Sequence, residues 1–234
     1  MVKNLKRLII NMKTSISKRY EVKMKINSKV FLLEEWCKAK IKLNKLYNDR
    51  QINSLYYDTY NLQSAKDNLN GYANRVKYRL RWYGNDNNKF VNAEFKIRSN
   101  KFNYKKIFSL NNSLKNINIY EVFGIYNDAF KKDYENVVNL IGYKRLFPVL
   151  NVSYLRSYYY YEDIVVTFDR EISYKLFNST NTQSKKDFGR VIELKIPEKH
   201  LNVSTKLINE FPFRVTRNSK YITGLSILGK TSYL

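Results

Sequence analysis

The 234-residue chain has one cysteine, one histidine, three prolines and seven glycines, and 20 acidic residues against 43 basic ones. A lone cysteine, Cys37, excludes an internal disulfide and any Cys-rich zinc site. The lone histidine, His200 in the polar stretch "PEKHLN", reads as a surface residue, and Cys–His catalysis would need both single residues to meet from unrelated contexts. Chemistry in this chain therefore runs on Lys, Arg and carboxylates. No apolar run approaches the length that spans a membrane. The basic start "MVKNLKRLIINMKTSISKRY" has only "LII" as its apolar core, too short for a secretory signal. These absences predict a protein of a reducing, cytoplasmic compartment. With no repeat, no Gly/Pro linker and no low-complexity block, the expected organisation is a frayed basic arm over 1–18 and a single domain over 19–234.

What is abundant is positive charge and tyrosine: the formal net charge is +23 and there are 21 tyrosines. Such a surplus predicts a polyanionic partner. Nucleic acid would account for the charge and for tyrosines that stack on bases, but not for the positions of the cations, which follow strand alternation.

Period-2 alternation dominates the chain. In "RYEVKMKI", Arg19, Glu21, Lys23 and Lys25 share one face. "VKYRLRWY" places Lys77, Arg79 and Arg81 opposite Tyr78, Leu80 and Trp82. "NAEFKIR" sets Glu94, Lys96 and Arg98 against Ala93, Phe95 and Ile97. "VSYLRSYYY" carries Tyr154 with Arg156, "DIVVTFDR" Thr167 with Asp169, and "VIELKIP" Glu193 with Lys195. Helical spacing is restricted to 28–47, opening at Ser28 as N-cap and placing Cys37 on its apolar side, to 61–71, closed by Gly71, and to 120–142.

"GLSILGKTS" (224–232) matches the phosphate-loop pattern at Gly224, Gly229, Lys230 and Thr231. That motif works only when a strand leads into the loop and a helix follows it. With three residues after Thr231 no helix is expected, and the match reads as fortuitous.

One charged face could simply meet water. Six strands that place Arg and Lys at consecutive same-side positions accumulate repulsion that an anion would offset. Closing the sheet with these faces inward gives an antiparallel β-barrel of α+β class, its interior basic and its apolar outer faces covered by helices. Such a tunnel suits linear polyphosphate groups, which Arg and Lys bind through forked and point-charge donors. Among the cations, Glu21 and Glu94 read equally as salt-bridging residues or metal ligands, and Glu193 as the metal candidate.

In order along the chain, "RYEVK", "SLYYDT", "NLNGYANRVKYRLRWY", "AEFKIR", "VSYLRSYY", "TFDR", "VIELKIP" and "NSKYITG" resemble the successive motifs of the VTC domain. This is the polyphosphate-polymerase domain of the vacuolar transporter chaperone complex, within the triphosphate tunnel (CYTH-like) superfamily. The resemblance runs from about Arg19 to Gly229. It implies a β-tunnel that transfers the γ-phosphate of ATP to inorganic polyphosphate with Mn²⁺ or Mg²⁺. It places Arg19 and Lys23 on the first tunnel strand, Arg79 and Arg81 as paired phosphate-gripping arginines, and Lys96 as a further ligand. Lys105 or Lys106 takes a basic tunnel position, Tyr154 and Arg156 a Y-x-R motif, and Glu193 the metal. Ser219 and Lys220, with Arg217 in place of a usual lysine, match the C-terminal phosphate-binding segment. The alternating faces add Lys77, Arg98 and Lys195 as substrate-binding candidates.

Two departures from the family pattern stand out. Val165 occupies a usual arginine position, with Arg170 as the nearest substitute. The hydrolase pattern E-x-E-x-K becomes Glu21-Val-Lys23-Met-Lys25, which favours holding a polyanion over activating water. The expectation is a polyphosphate polymerase whose product threads along the tunnel. The alternatives are a tunnel triphosphatase and a non-catalytic polyphosphate-binding protein.

Overall fold

The six period-2 segments are strands, and with four further ones they form, among the described residues, one antiparallel sheet of ten strands. The computed structural model describes residues 9–15, 19–26, 33–84, 91–99, 102–110, 114–120, 122, 146–177 and 183–231. The strands are β1 (Ile9–Ser15), β2 (Arg19–Ile26), β3 (Asn44–Asp58), β4 (Arg75–Tyr83), β5 (Val91–Ser99), β6 (Phe102–Leu110), β7 (Phe147–Tyr161), β8 (Ile164–Leu176), β9 (Lys185–Asp187) and β10 (Arg190–Pro197). The helices are α1 (Leu33–Ile41), α2 (Gln63–Leu69), α3 (Leu201–Glu210) and α4 (Lys220–Ile227). The ladder runs β1-β6-β5-β4-β3-β7-β8-β10-β2, with β9 on β8.

The sheet curls until β2, at one end of the ladder, lies close to β5 and β6 near the other. Lys96 of β5 donates a hydrogen bond to Glu21 of β2 at 2.5 Å, although these strands lie far apart in the ladder. Thr216 holds to β2: its N–H donates to the Lys23 carbonyl at 2.7 Å, and the Lys25 N–H donates to its hydroxyl at 3.1 Å.

The apolar alternates face outward and are covered there. Cys37 and Ile41 of α1 and Leu207 of α3 pack on Met24, Val166, Phe168, Ile192 and Leu194. Leu80, Phe95, Ile97 and Phe108 pack with Leu146 and Val122, and Leu114, Ile117 and Ile119 add to that cover. Each large side chain fully removed from water contributes about 1.5–3 kcal/mol. Cys37 is part of this packing, and burial, then Glu34, push its thiol up to about 12.

α4 lies on the inward face instead. It enters one end of the barrel and packs with Leu150, Val152 and Tyr174. The Tyr221 ring stacks on Tyr56 with centroids 5.1 Å apart, and its hydroxyl donates to the buried Asp58 carboxylate at 2.7 Å. Gly224 is required here, because a Cβ would lie 2.5 Å from the Tyr174 ring and 2.7 Å from Leu150.

Two expectations change and a third holds. The helix expected over 28–47 is described over Leu33–Ile41 and ends there, because Lys42 takes a left-handed φ of 58° and Asn44–Tyr47 join β3; residues 28–32, Ser28 included, lie outside the described residues. Residues 9–15 of the expected basic arm pair antiparallel with β6, Ile9 opposite Leu110 and Ser15 opposite Lys105. In "GLSILGKTS", Gly224 is inside α4 and Gly229 terminates it at φ 70°, so a helix precedes the glycines where a phosphate loop needs one to follow. Most of the helix expected over 120–142 lies outside the described residues.

Candidate active site

The inward faces enclose a cavity of about 280 Å³. Its wall takes Glu21 and Lys23 from β2, Tyr56 from β3, Lys77, Arg79 and Arg81 from β4, Lys96 from β5, and Asn103, Lys105 and Ile107 from β6. Tyr154 and Arg156 come from β7, Glu193 and Lys195 from β10, and Asn218, Ser219 and Lys220 from the segment entering α4. Nine lining residues are Lys or Arg and two are Glu. Exposure falls from 35% and 30% for the Lys105 and Lys96 side chains to 7% for both Arg81 and Arg156, so the former pair marks the mouth and the latter the floor.

Buried carboxylates set the floor arginines. Asp169, wholly buried on β8, accepts from Arg156 Nε at 2.5 Å and from Nη2 at 2.7 Å, a bidentate pair, and also from the Lys220 ammonium. Burial works against its charge, but Arg156 and Lys220 outweigh that and hold it below the usual carboxylate range. Glu94 stands on β5 directly opposite Arg79 of β4, with Arg79 Nη2 at 2.5 Å, Lys105 at 2.7 Å and Arg81 Nη1 at 3.7 Å. Despite burial, these cations keep Glu94 ionised. Arg81 also donates to the Ser54 hydroxyl and to Tyr154 Oη at 3.2 Å, while Arg79 donates to Tyr56 Oη at 3.1 Å. Burial would raise the Tyr56 phenol, yet Arg79 and Arg81 bring it below its ordinary value. The guanidinium groups are thus fixed before any ligand arrives.

The lysines differ among themselves. Lys23 sits 3.7 Å from Glu21 and 4.0 Å from Glu193, and these two outweigh its burial to raise it. Lys77 donates to the Ser219 hydroxyl at 2.8 Å and, among the described residues, has no carboxylate partner. Burial first, then Lys23 and Lys96, hold its ammonium well below the ordinary lysine range. Burial also lowers Lys105 and Lys195 to about 8, Glu94 and Glu193 respectively opposing it. A cavity that retains poorly compensated ammonium groups is built for an anion carrying several charges.

Glu21 and Glu193 offer the cavity's carboxylate donors. They lie on paired strands, opposite Lys195 and Lys23, and close enough that Glu193 disfavours ionisation of Glu21. Two neighbouring carboxylates facing a phosphate site fit a hard divalent cation, which takes one or two protein carboxylates and completes its shell with phosphate oxygens and water. Among the described residues no cluster of three or more acidic, Cys or His ligands exists. Glu94, taken up by three cations, does not fit as a metal ligand.

The sequence candidates sort as follows. Lys23, Arg79, Arg81, Lys96, Arg156, Lys220, Lys77, Lys105, Tyr154, Lys195 and Ser219 all line the cavity, as do Glu21 and Glu193. Lys105, and not Lys106, takes the inward position of β6: Lys106 is buried opposite Phe95 on the other face. Arg98, Arg217 and Glu94 are not in the lining, Arg98 standing opposite Arg75 and Arg217 being exposed. Arg19 begins β2 opposite Pro197, and its side chain lies outside the described residues. Arg170 does not replace the cation missing at Val165. It donates to Asp49 and Ser157, each at 2.6 Å, and Glu34 lies 3.7 Å away, none of them a lining residue. Sequence reasoning missed Asp169, Tyr56 and Ser54. The available signal was Asp169 in "TFDR" and the same-face spacing of Ser54, Tyr56 and Asp58.

A sequence model of the VTC domain matches residues 5–229. No curated protein matches the sequence. Among solved structures, an adenylate cyclase-like protein from Bacillus halodurans is similar at 12% identity, covering 89% of this chain and 98% of that one, with a TM-score of 0.53. An adenylyl cyclase-like protein from Hippeastrum, described as having a dominant triphosphatase activity, is similar at 16% identity over 91% of this chain and 97% of its own, with a TM-score of 0.51. These likenesses show the tunnel fold.

Proposed function

We propose, from the premise that the chain belongs to the VTC domain family, that it is a phosphotransferase moving the γ-phosphate of ATP onto the end of an inorganic polyphosphate chain. The observation that carries this reading is the cavity itself, with nine cations around two carboxylates and the floor arginines held in place by Asp169 and Glu94.

Phosphoryl transfer asks a protein mainly for positioning and charge neutralisation. Arg79, Arg81, Arg156 and Lys220 hold the triphosphate, and Lys77 and Lys96 neutralise the oxygens toward the mouth. An oxygen of the acceptor's terminal phosphate forms the new bond to the γ-phosphorus while the β–γ bridging P–O bond breaks, its electron pair leaving with ADP. The acceptor oxygen is already ionised near neutral pH, so no general base is needed, in keeping with a chain whose single histidine pairs with Asp163 outside the cavity. Glu193 and Glu21 would hold Mn²⁺ or Mg²⁺, which supplies Lewis-acid neutralisation of the phosphates when bound. Because α4 fills one end of the barrel, the acceptor enters by the Lys96–Lys105 mouth and does not thread the full length.

Hydrolysis is the second reading, brought in by the triphosphatase activity of the Hippeastrum protein. Lys23 between Glu21 and Glu193 speaks against it, since an ammonium there disfavours an activated water. Electrophoretic sizing of product from γ-labelled ATP and Mn²⁺ separates the two. A labelled ladder sensitive to exopolyphosphatase is expected. Free phosphate alone would mean hydrolysis, and polyphosphate binding without turnover a binding protein.

A further inference from the structure

Beyond the cavity floor, cations and aromatic rings alternate in an unbroken series to the surface. The Lys220 ammonium lies 4.6 Å from the Tyr154 ring centroid, and the Arg156 guanidinium 5.3 Å from the same ring. Arg156 also lies 6.0 Å from the Tyr158 ring. Arg50 lies 5.8 Å from Tyr158 and 5.0 Å from Tyr47. The Tyr47 and Tyr158 rings meet edge to face at 5.7 Å. Strand pairing fixes this arrangement, with Tyr47 opposite Tyr158 and Arg50 opposite Arg156 across β3 and β7.

Two features of the outer end need explanation. Tyr47 is 49% exposed, which costs apolar contact. Arg50 is exposed and, among the described residues, forms no ion pair, although it stands across from another arginine. Among the described residues, the exposed Tyr60 and Tyr72 do not belong to such a series. A flat ring with an open face, beside a cation without a counter-charge and continuous with a phosphate-binding floor, suits a ligand with an aromatic base at one end and phosphates at the other.

We propose that Tyr47, Arg50 and Tyr158 form a nucleoside-recognition rim. A base stacks on Tyr47, whose ring Tyr158 braces edge to face, Arg50 takes the phosphate nearest the nucleoside, and the remaining phosphates lie on Arg81 and Arg156. The proposal rests on the phosphate-holding reading of the cavity and adds how the site tells a nucleoside triphosphate from an inorganic one. Stacking reads no hydrogen-bonding edge, so the rim tolerates different purines.

The test is calorimetric titration of the full chain with ATP and, separately, with inorganic tripolyphosphate. Tyr47→Ala is expected to weaken ATP by about tenfold, within the range for base–aromatic stacking, and tripolyphosphate by less than about twofold. Tyr47→Phe, which keeps the ring, should leave both unchanged. If ATP is unaffected by Tyr47→Ala, or if the two ligands weaken together, the rim is wrong while the cavity reading stands. If the wild-type protein binds neither ligand, both are wrong.

Discussion

Arg156 and Asp169 face one another across β7 and β8 and share two hydrogen bonds, at 2.5 and 2.7 Å, with Asp169 wholly buried. The same carboxylate also holds Lys220, which begins α4. One acid thus sets a strand arginine and a helix-terminal lysine on the same cavity floor.

Breaking that pair leaves Lys220 without a carboxylate among the described residues and Arg156 with Glu193, 3.2 Å away, as its remaining one. Asp169→Ala should destabilise the protein by about 3–5 kcal/mol, measured by urea unfolding. Saturating tripolyphosphate should return part of the loss, because the ligand supplies the missing negative charge. Equal destabilisation with and without ligand would show that Asp169 has no link to the anion site.

Lys77 predicts the opposite sign in the free protein. Its ammonium is held well below the ordinary range by burial and by Lys23 and Lys96, so folding costs more when it is charged. Lys77→Met should leave the melting temperature unchanged or raised without ligand, and reduce the stabilisation that tripolyphosphate confers. A lower melting temperature without ligand would mean that Lys77 is structural.

Proton uptake follows from Lys105 and Lys195, lowered to about 8 chiefly by burial. Their folded values lie below the unfolded lysine value of about 10.4. Between the two values the unfolded chain binds more protons, so these groups make stability rise with pH across that window. A bound polyanion favours their charged forms, so binding at about pH 8.5 should take up protons. Calorimetry in two buffers of different ionisation enthalpy reads the sign, and proton release would contradict the assignment.

Glu94 and Glu193 separate by role. Glu94→Gln removes the counter-ion shared by Arg79, Arg81 and Lys105 and should weaken tripolyphosphate binding even without metal, by disordering the arginines. Glu193→Gln should leave metal-free binding intact or tighter and abolish the response of turnover to Mn²⁺. Arg79→Ala should lower turnover on the order of 10²–10³-fold, the usual cost of removing a preorganised electrostatic contact.

The interior was legible because a period of two sorts side chains by face: Lys77, Arg79 and Arg81 all point inward, and their alternates Tyr78, Leu80 and Trp82 are buried outside. Alternation cannot fix register between adjacent candidates, which is why Lys105 and Lys106 could not be separated until β6 was seen paired with β5. Nor does it fix depth along the barrel axis, so Arg98 shared the pattern yet misses the cavity, as does Arg217, which the family resemblance and not alternation had suggested. The ion pairs that bind Glu94 join residues brought together by strand pairing, and a carboxylate among cations reads alike as counter-ion or metal ligand. The placement of α4 inside the barrel depends on packing of Gly224 against Tyr174 and Leu150, distant in sequence and carrying no local signal.

The central claim is that the cavity holds a linear polyphosphate on its fixed arginines. It is tested most directly by titrating inorganic tripolyphosphate into the wild-type protein and into Arg79→Ala and Arg156→Ala in metal-free buffer of constant ionic strength. One site is expected in the wild type, with each substitution weakening it by at least about tenfold, the loss of a charge-assisted contact of about 1.5–3 kcal/mol. Unchanged affinity in both variants, or no binding to the wild type, would contradict the account.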